Sequence, residues 1–157
     1  IHPKTLKPLQ NKNIPLYVKS FVYPNESGSL IHDFEKQKMI PCFIKKTNQI
    51  LLSIFPKDFS FIAEENLSTL FAIFAFFGFK INLMQNSALS FSVCMDYRPN
   101  LTQLLEELQT EFYVKYNESV ELLTIRHYDR NSLTKVTENK KIILEQRNRT
   151  TLQVVLK

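Results

Sequence analysis

QILLSIFPKDFS, residues 49–60, is an apolar run that ends in a proline-bearing loop, and the rest of the chain can be placed around it. Gln49 to Phe55, bounded by Asn48 and Pro56, predicts a strand, and residues 56–60 predict a loop. A long helix is expected over 62–77, because Leu67, Leu70, Phe71, Phe74 and Phe77 recur at helical spacing. Ile73 and Phe76 fall outside that stripe, so this helix is apolar over more than one face and wants a second packing partner. Gly78 suits a left-handed helix end. Phe79, Ile81 and Leu83 alternate with Lys80 and Asn82, which predicts a strand. Gln85-Asn86-Ser87 predicts a polar turn. Leu89, Phe91, Val93 and Met95 then alternate with Ser90, Ser92, Cys94 and Asp96, an antiparallel neighbour with one wet face. Asn100 is placed to cap a second helix, with Gln103 three residues on. Leu101, Leu104, Leu105, Leu108 and Phe112 make its stripe, and Tyr113 to Tyr116 reads as a short strand. Residues 48–118 therefore read β-α-β-β-α-β, an α+β unit of ferredoxin-like order.

Working outward, residues 3–12 predict a short helix with Pro3 in its first turn, and residues 14–21 a strand. Pro24 to Gly28 is a turn cluster, and residues 39–44 are expected to add a short strand. Beyond the central unit, strands are expected over 121–128, 141–145 and 151–156, with a helix over 131–138. That tail is β-α-β-β and lacks a final α-β, which the first 21 residues supply. The expected domains are a composite module, 1–22 plus 119–157, a linker at 23–47, and an inserted module at 48–118.

Charge follows the same division. The chain of 157 residues carries a formal +5. Residues 1–20 hold Lys4, Lys7, Lys12 and Lys19 with no acid, and residues 126–157 hold eight basic against three acidic groups. The middle, 21–125, has eight basic against twelve acidic. Either the two ends belong to one domain, or they are solvated basic surface. With 44% apolar residues and only two glycines, disordered and collagen-like classes are excluded.

Catalytic chemistry finds no constellation in the sequence. Two glycines allow no phosphate-cradling loop. His2, His32 and His127 are scattered, and His127 is expected to be structural. Asp58, Glu64 and Glu65 stand where a helix begins, where acids favour the macrodipole. Cys42 and Cys94 lack metal-ligand spacing and are expected to be buried thiols in a reducing compartment. No signal peptide or membrane-length apolar stretch is seen, so a cytoplasmic location is expected, without metal, membrane or nucleic-acid partners. The chain starts at Ile1 without a methionine, and a piece of a longer protein is expected.

Binding is the remaining class. The fold order also serves RNA-recognition domains, but their aromatic signature is missing. A purely dimerising module with no ligand is a further alternative. A small-ligand site has positive features. The loop from Phe55 to Ser60 leads into the N-terminus of a long helix, whose N–H groups favour a carboxylate. Asn82, Gln85, Asn86 and Ser87 bring amide and hydroxyl groups towards that edge. Asn86-Ser87 also fits an ordinary hairpin turn, and the two interpretations stand level on the residues alone.

Several separated motifs carry a resemblance. IHPKTLKPLQNKNIPLYVKSF at 1–21, PNESGSLI at 24–31, IFPKDFSFIA at 54–63, INLMQNS at 81–87 and LEQR at 144–147 occur in family order. In these the chain resembles the regulatory region of aspartokinases, along essentially its whole length. The resemblance implies two ACT modules, one inserted into the other, that bind an end-product amino acid, lysine or threonine, and inhibit the kinase. It implies effector contacts at Asp58, Phe59, Ser60, Phe61 and Ile62, at Ile81 and Asn82, and at Gln85, Asn86 and Ser87. It implies a homodimer through the ACT modules. It also implies a parent enzyme that transfers phosphate from ATP, with Mg, to the β-carboxylate of L-aspartate, the first step of lysine, threonine and methionine biosynthesis. Catalysis and cofactors would belong to an upstream kinase domain, with no activity and no cofactor in this stretch. Two departures bear on the effector. Lysine-inhibited members carry acids where Asn82 and Ala88 stand. Gln85-Asn86 is similar to the QN pair of threonine-responsive members, but shifted by one residue.

Overall fold

The computed structural model describes residues 1–32, 39–58, 60–129 and 140–157. The helix expected at 131–138 and Phe59 lie outside these described residues. The chain divides into two compact units, Ile1–Met39 and Ile40–Lys157.

In the first unit, α1 (Pro3–Asn11) starts where Pro3 predicts, and the His2 side chain accepts a hydrogen bond from the Lys4 N–H at 3.1 Å. The strand expected at 14–21 is shorter, β1 (Leu16–Val18). It pairs antiparallel with β2 (Ser29–Ile31), which lies in the segment read as a linker.

The second unit is built on one long pair of strands. β3 (Cys42–Pro56) unites the two strands expected at 39–44 and 49–55. β6 (Phe112–Arg126) likewise unites those expected at 113–116 and 121–128. The separations read from sequence are bulges. Asn48 and Ser119 have φ of 52° and 55°, left-handed values that turn-forming residues adopt. Register runs Lys46 opposite Leu122, Gln49 opposite Val120, then Leu51 opposite Asn117. One extra residue on β3 is followed by one extra on β6, so pairing resumes in its original register. The Asn48 carbonyl accepts from the Tyr97 N–H at 3.1 Å, which anchors the bulge.

Between these strands run α2 (Glu64–Phe76), β4 (Ile81–Asn86), β5 (Phe91–Asp96) and α3 (Leu101–Glu111). With β7 (Ile142–Arg147) and β8 (Thr151–Leu156), the antiparallel sheet among the described residues has the order β4-β5-β3-β6-β8-β7. Its first four strands and two helices are in ferredoxin-like order: the first and last strands lie side by side, and each helix crosses between parallel strands. The expected α+β class is the observed one.

The helix side of the sheet is packed by Ile50, Leu52, Ile54, Phe91, Val93 and Met95 against Leu70 and Phe74 of α2 and Leu104 and Leu108 of α3. Each such side chain contributes roughly 1.5–3 kcal/mol on burial. The α2 stripe differs from expectation in detail. Ile73 packs on the core, whereas Phe71 is exposed and meets Phe91 edge-on. Phe76 is 84% exposed. Gly78 ends the helix at φ 73°, as read. The Asn100 capping box is absent: its amide donates instead to the Phe77 carbonyl at 3.0 Å, an orphan acceptor at the end of α2.

The face expected to be wet is partly covered. Leu51, Leu83, Cys94, Val120, Leu122 and Val155 form a second core, with Ile143 and Leu144 of β7 packed on it. The sheet curls, and its far strand lies over β4 and β5. Cys94 is therefore buried as expected, but Cys42, at the start of β3, is exposed.

Candidate functional site

The loop after β3 is tied at three points. Lys57 Nζ donates to the carbonyls of Gln109 and Thr110 at 2.7 and 2.9 Å, using the free acceptors at the C-terminus of α3. Asp58 Oδ1 accepts from the Ser60 N–H at 3.0 Å. Hydrogen bonds from Ser60, its hydroxyl first and its backbone second, hold the Asp58 carboxyl below the usual carboxylate range. Ile62 then donates its N–H to the Ala88 carbonyl at 2.8 Å, which docks the loop on the β4–β5 turn. Ile62 is buried, whereas Asp58, Ser60 and Phe61 are exposed. Asn66 Oδ1 accepts from the Ala63 N–H at 2.9 Å, and Ala63, as N-cap, brings no capping side chain of its own. Glu64 and Glu65 occupy the first turn of α2.

The turn itself is held by hydroxyls. Ser87 Oγ lies 2.9 Å from Ser90 Oγ and accepts from the Ser90 N–H at 3.1 Å. β4 runs further than expected, to Asn86, so Gln85 and Asn86 are strand residues and the turn is at 87–90. On the helix-free side, Gln85, Ser87, Ser90 and Ser92 line a polar cleft of about 360 Å³ with Ile143, Leu144 and Glu145 of β7. Glu145 is ion-paired to Arg147 within its own strand. Ser90 and Ser92 had no sequence signal beyond their alternation on a face read as wet, and Glu145 none beyond its place in the motif at 144–147.

Asn82 sits at the other end of β4, about 13 Å from Asn86 by strand rise. Register shifts between Ile81 and Leu83, so Asn82 is a bulge residue. Ile81 packs against the helix-side core. Asn82 Nδ2 donates to Gln49 Oε1 at 2.7 Å and to Asp96 Oδ1 at 3.1 Å. Gln49 Nε2 donates to Asp96 Oδ1 at 2.8 Å and to the Thr47 carbonyl at 3.0 Å. Lys46 Nζ donates to Asn82 Oδ1 at 2.7 Å. The bonds from Gln49, then Asn82, then the Lys46 charge hold the Asp96 carboxyl below its usual range. Gln49, Lys46 and Asp96 were not singled out from sequence. A glutamine at the head of the apolar run 49–55 was the available signal.

The expected site residues therefore fall into two groups within one chain. Ile62, at the end of the loop, meets the turn that follows β4, next to Ser87, while Ile81 and Asn82 stand apart at the bulge. The central strands present Leu51, Ser53, Ser92 and Cys94 on the helix-free face, with Leu51 and Cys94 buried towards β7. Phe55 continues that face beside Tyr113 of β6, which is 57% exposed, and Lys115 Nζ lies 5.7 Å from the Phe55 ring centroid. Among the described residues no group of three His, Cys, Asp or Glu is arranged to hold a metal ion. None of the described helices is long and apolar enough to cross a membrane.

No protein-family model matches the chain, and no curated protein sequence matches it. Solved structures do. E. coli aspartokinase III, in complex with lysine and aspartate in its T-state, superimposes with a TM-score of 0.71 at 22% identity over 99% of this chain. The aspartate kinase of Clostridium acetobutylicum gives 0.77 at 16% identity over 100%. This chain spans 38% and 41% of those two chains. The regulatory subunit of aspartate kinase from Thermus flavus gives 0.53 at 8% identity, over 73% of this chain and 86% of that one. At these identities the likeness establishes a shared fold.

Proposed function

We propose that this chain is the amino-acid-sensing regulatory region of an aspartate kinase, taking lysine or threonine as effector and inhibiting a kinase domain upstream of it. The observation that carries this is the Ile62–Ala88 hydrogen bond. It brings a loop and the N-terminus of α2 against a hydroxyl-rich turn. N–H groups at the helix start would take the effector's carboxylate, and Glu64 and Glu65 in the first turn of α2, with amide and carbonyl oxygens, would suit the ammonium of a zwitterion. The motifs quoted above and the fold shared with aspartokinase chains support the same conclusion.

The two separated groups would meet in a dimer. β4 is an edge strand with Met84 52% exposed at its centre. If two copies pair antiparallel about Met84, Asn82 lies opposite Asn86 of the partner subunit, and Ile81 opposite Ser87 of the partner subunit. The effector would then sit at the seam, contacted by Asp58, Phe59, Ser60, Phe61 and Ile62, by Ile81 and Asn82, and by Gln85, Asn86 and Ser87. The two modules would comprise residues 48–118 and residues 1–22 with 119–157. Effector binding would shift the population of paired arrangements and so the activity of the kinase domain, where ATP and Mg act.

Thermal unfolding of this chain with lysine, threonine, methionine and aspartate in turn tests the proposal. A ligand at 100 times its dissociation constant adds about 2.7 kcal/mol. A selective rise is expected with lysine or threonine, and Asn82→Ala should reduce it. A flat response to all four would refute amino-acid sensing by this chain.

A further inference from the structure

Asn82 does not face a ligand alone. Its single acceptor atom, Oδ1, already accepts a hydrogen bond from Lys46 Nζ at 2.7 Å. Its two amide hydrogens go to Gln49 and Asp96. Asp96 lies 4.0 Å from Lys46, with Arg98 within electrostatic reach of the same carboxylate. Two cations therefore act on one anion beside the bulge of β4. Bulges commonly re-aim side chains beside binding sites, and here the extra residue turns Asn82 onto Lys46.

We infer that Lys46 sets the charge class of the ligand taken at the β4 edge: it admits amino acids with uncharged side chains and rejects those carrying a second ammonium. The inference rests on the sensing role proposed above and narrows it. A ligand side-chain ammonium approaching Asn82 would compete with Lys46 for Oδ1 and would meet its like charge a few ångströms away. A methyl or hydroxyl meets neither obstacle. The Asp96 contacts with Gln49, Asn82 and Lys46 all fall on Oδ1, and the charges of Lys46 and Arg98 act against its own.

The test is calorimetric titration of this chain with threonine, norleucine and lysine, in the wild type and in Lys46→Met and Lys46→Glu. Norleucine keeps an apolar stem and lacks the terminal ammonium. The wild type should bind threonine or norleucine and bind lysine at least about tenfold more weakly. Lys46→Glu should strengthen lysine binding by about tenfold and leave the neutral ligands within about twofold. Lys46→Met should move lysine in the same direction by less, and it keeps the apolar stem should the glutamate variant fold poorly beside Asp96. Lysine binding to the wild type as tightly as the neutral ligands, or lysine affinity unchanged in both variants, overturns the inference while leaving amino-acid sensing intact. No binding of any amino acid to any form overturns the sensing role itself, and this inference with it.

Discussion

Gln49→Met isolates the polar network under the β4 bulge. Gln49 is 2% exposed, so a methionine of similar length stays buried and removes three hydrogen bonds. These run to Asp96 Oδ1 at 2.8 Å, to the Thr47 carbonyl at 3.0 Å and from Asn82 Nδ2 at 2.7 Å. Neutral bonds contribute about 1 kcal/mol each and a bond to a charged group about 1.5–3, giving a gross loss of about 4 kcal/mol. Two effects offset it. The Asp96 side chain is 54% exposed and rehydrates, and the thioether gains roughly 1–2 kcal/mol from burial. The net expectation is about 2 kcal/mol of destabilisation, read by urea unfolding at neutral pH with an unchanged m-value. The pH dependence makes the test specific. Gln49 is the leading cause of the lowered Asp96 pKa, against an ordinary value of 3.8. A depressed carboxyl contributes stability that is fully present above the unfolded pKa and is lost as pH falls through the folded one. The gap between wild type and variant should therefore be full at neutral pH and shrink as pH falls below 3.8. A loss under about 0.5 kcal/mol, or a gap that is constant into strong acid, would refute the reasoning.

The two thiols should behave differently. Cys42 is exposed, whereas burial first and Asp96 second push the Cys94 thiol up to about 12, so a disulfide reagent at mild alkaline pH should label one thiol in the native chain and the second only in denaturant. Because that pKa is raised from 9.0, the stability Cys94 contributes is full below 9.0 and falls as pH rises towards 12, a decline that Cys94→Ala should lessen in alkaline melts. Gly78→Ala should lower stability by about 1 kcal/mol in thermal unfolding, through the left-handed backbone alone. A Cβ there would meet only the movable end of Arg98, at 3.3 Å. A neutral result would mean that the left-handed turn is not needed to end α2.

Local pattern and long-range contact divide what can be read from this chain. The β-α-β-β-α-β order, the Leu101–Leu108 stripe and the Gly78 helix end were legible because they depend on neighbours three or four residues away, or on one residue's own backbone freedom. The loop at Asp58 and Ser60 was legible for the same reason. The continuity of β3 and β6 was not. Asn48 and Ser119 have the chemistry of turn residues, and only their offset pairing across two strands shows them to be compensating bulges. The burial of Cys94 was anticipated, but its cause was not: the alternation at 89–96 states which residues share a face, while the curl of the sheet decides whether β7 covers it. The same holds for the site. Asn82 could be singled out by its amide and its place on a strand. That it is bonded to Gln49, Asp96 and Lys46, residues 14 to 36 positions away, follows from strand pairing that no local pattern encodes.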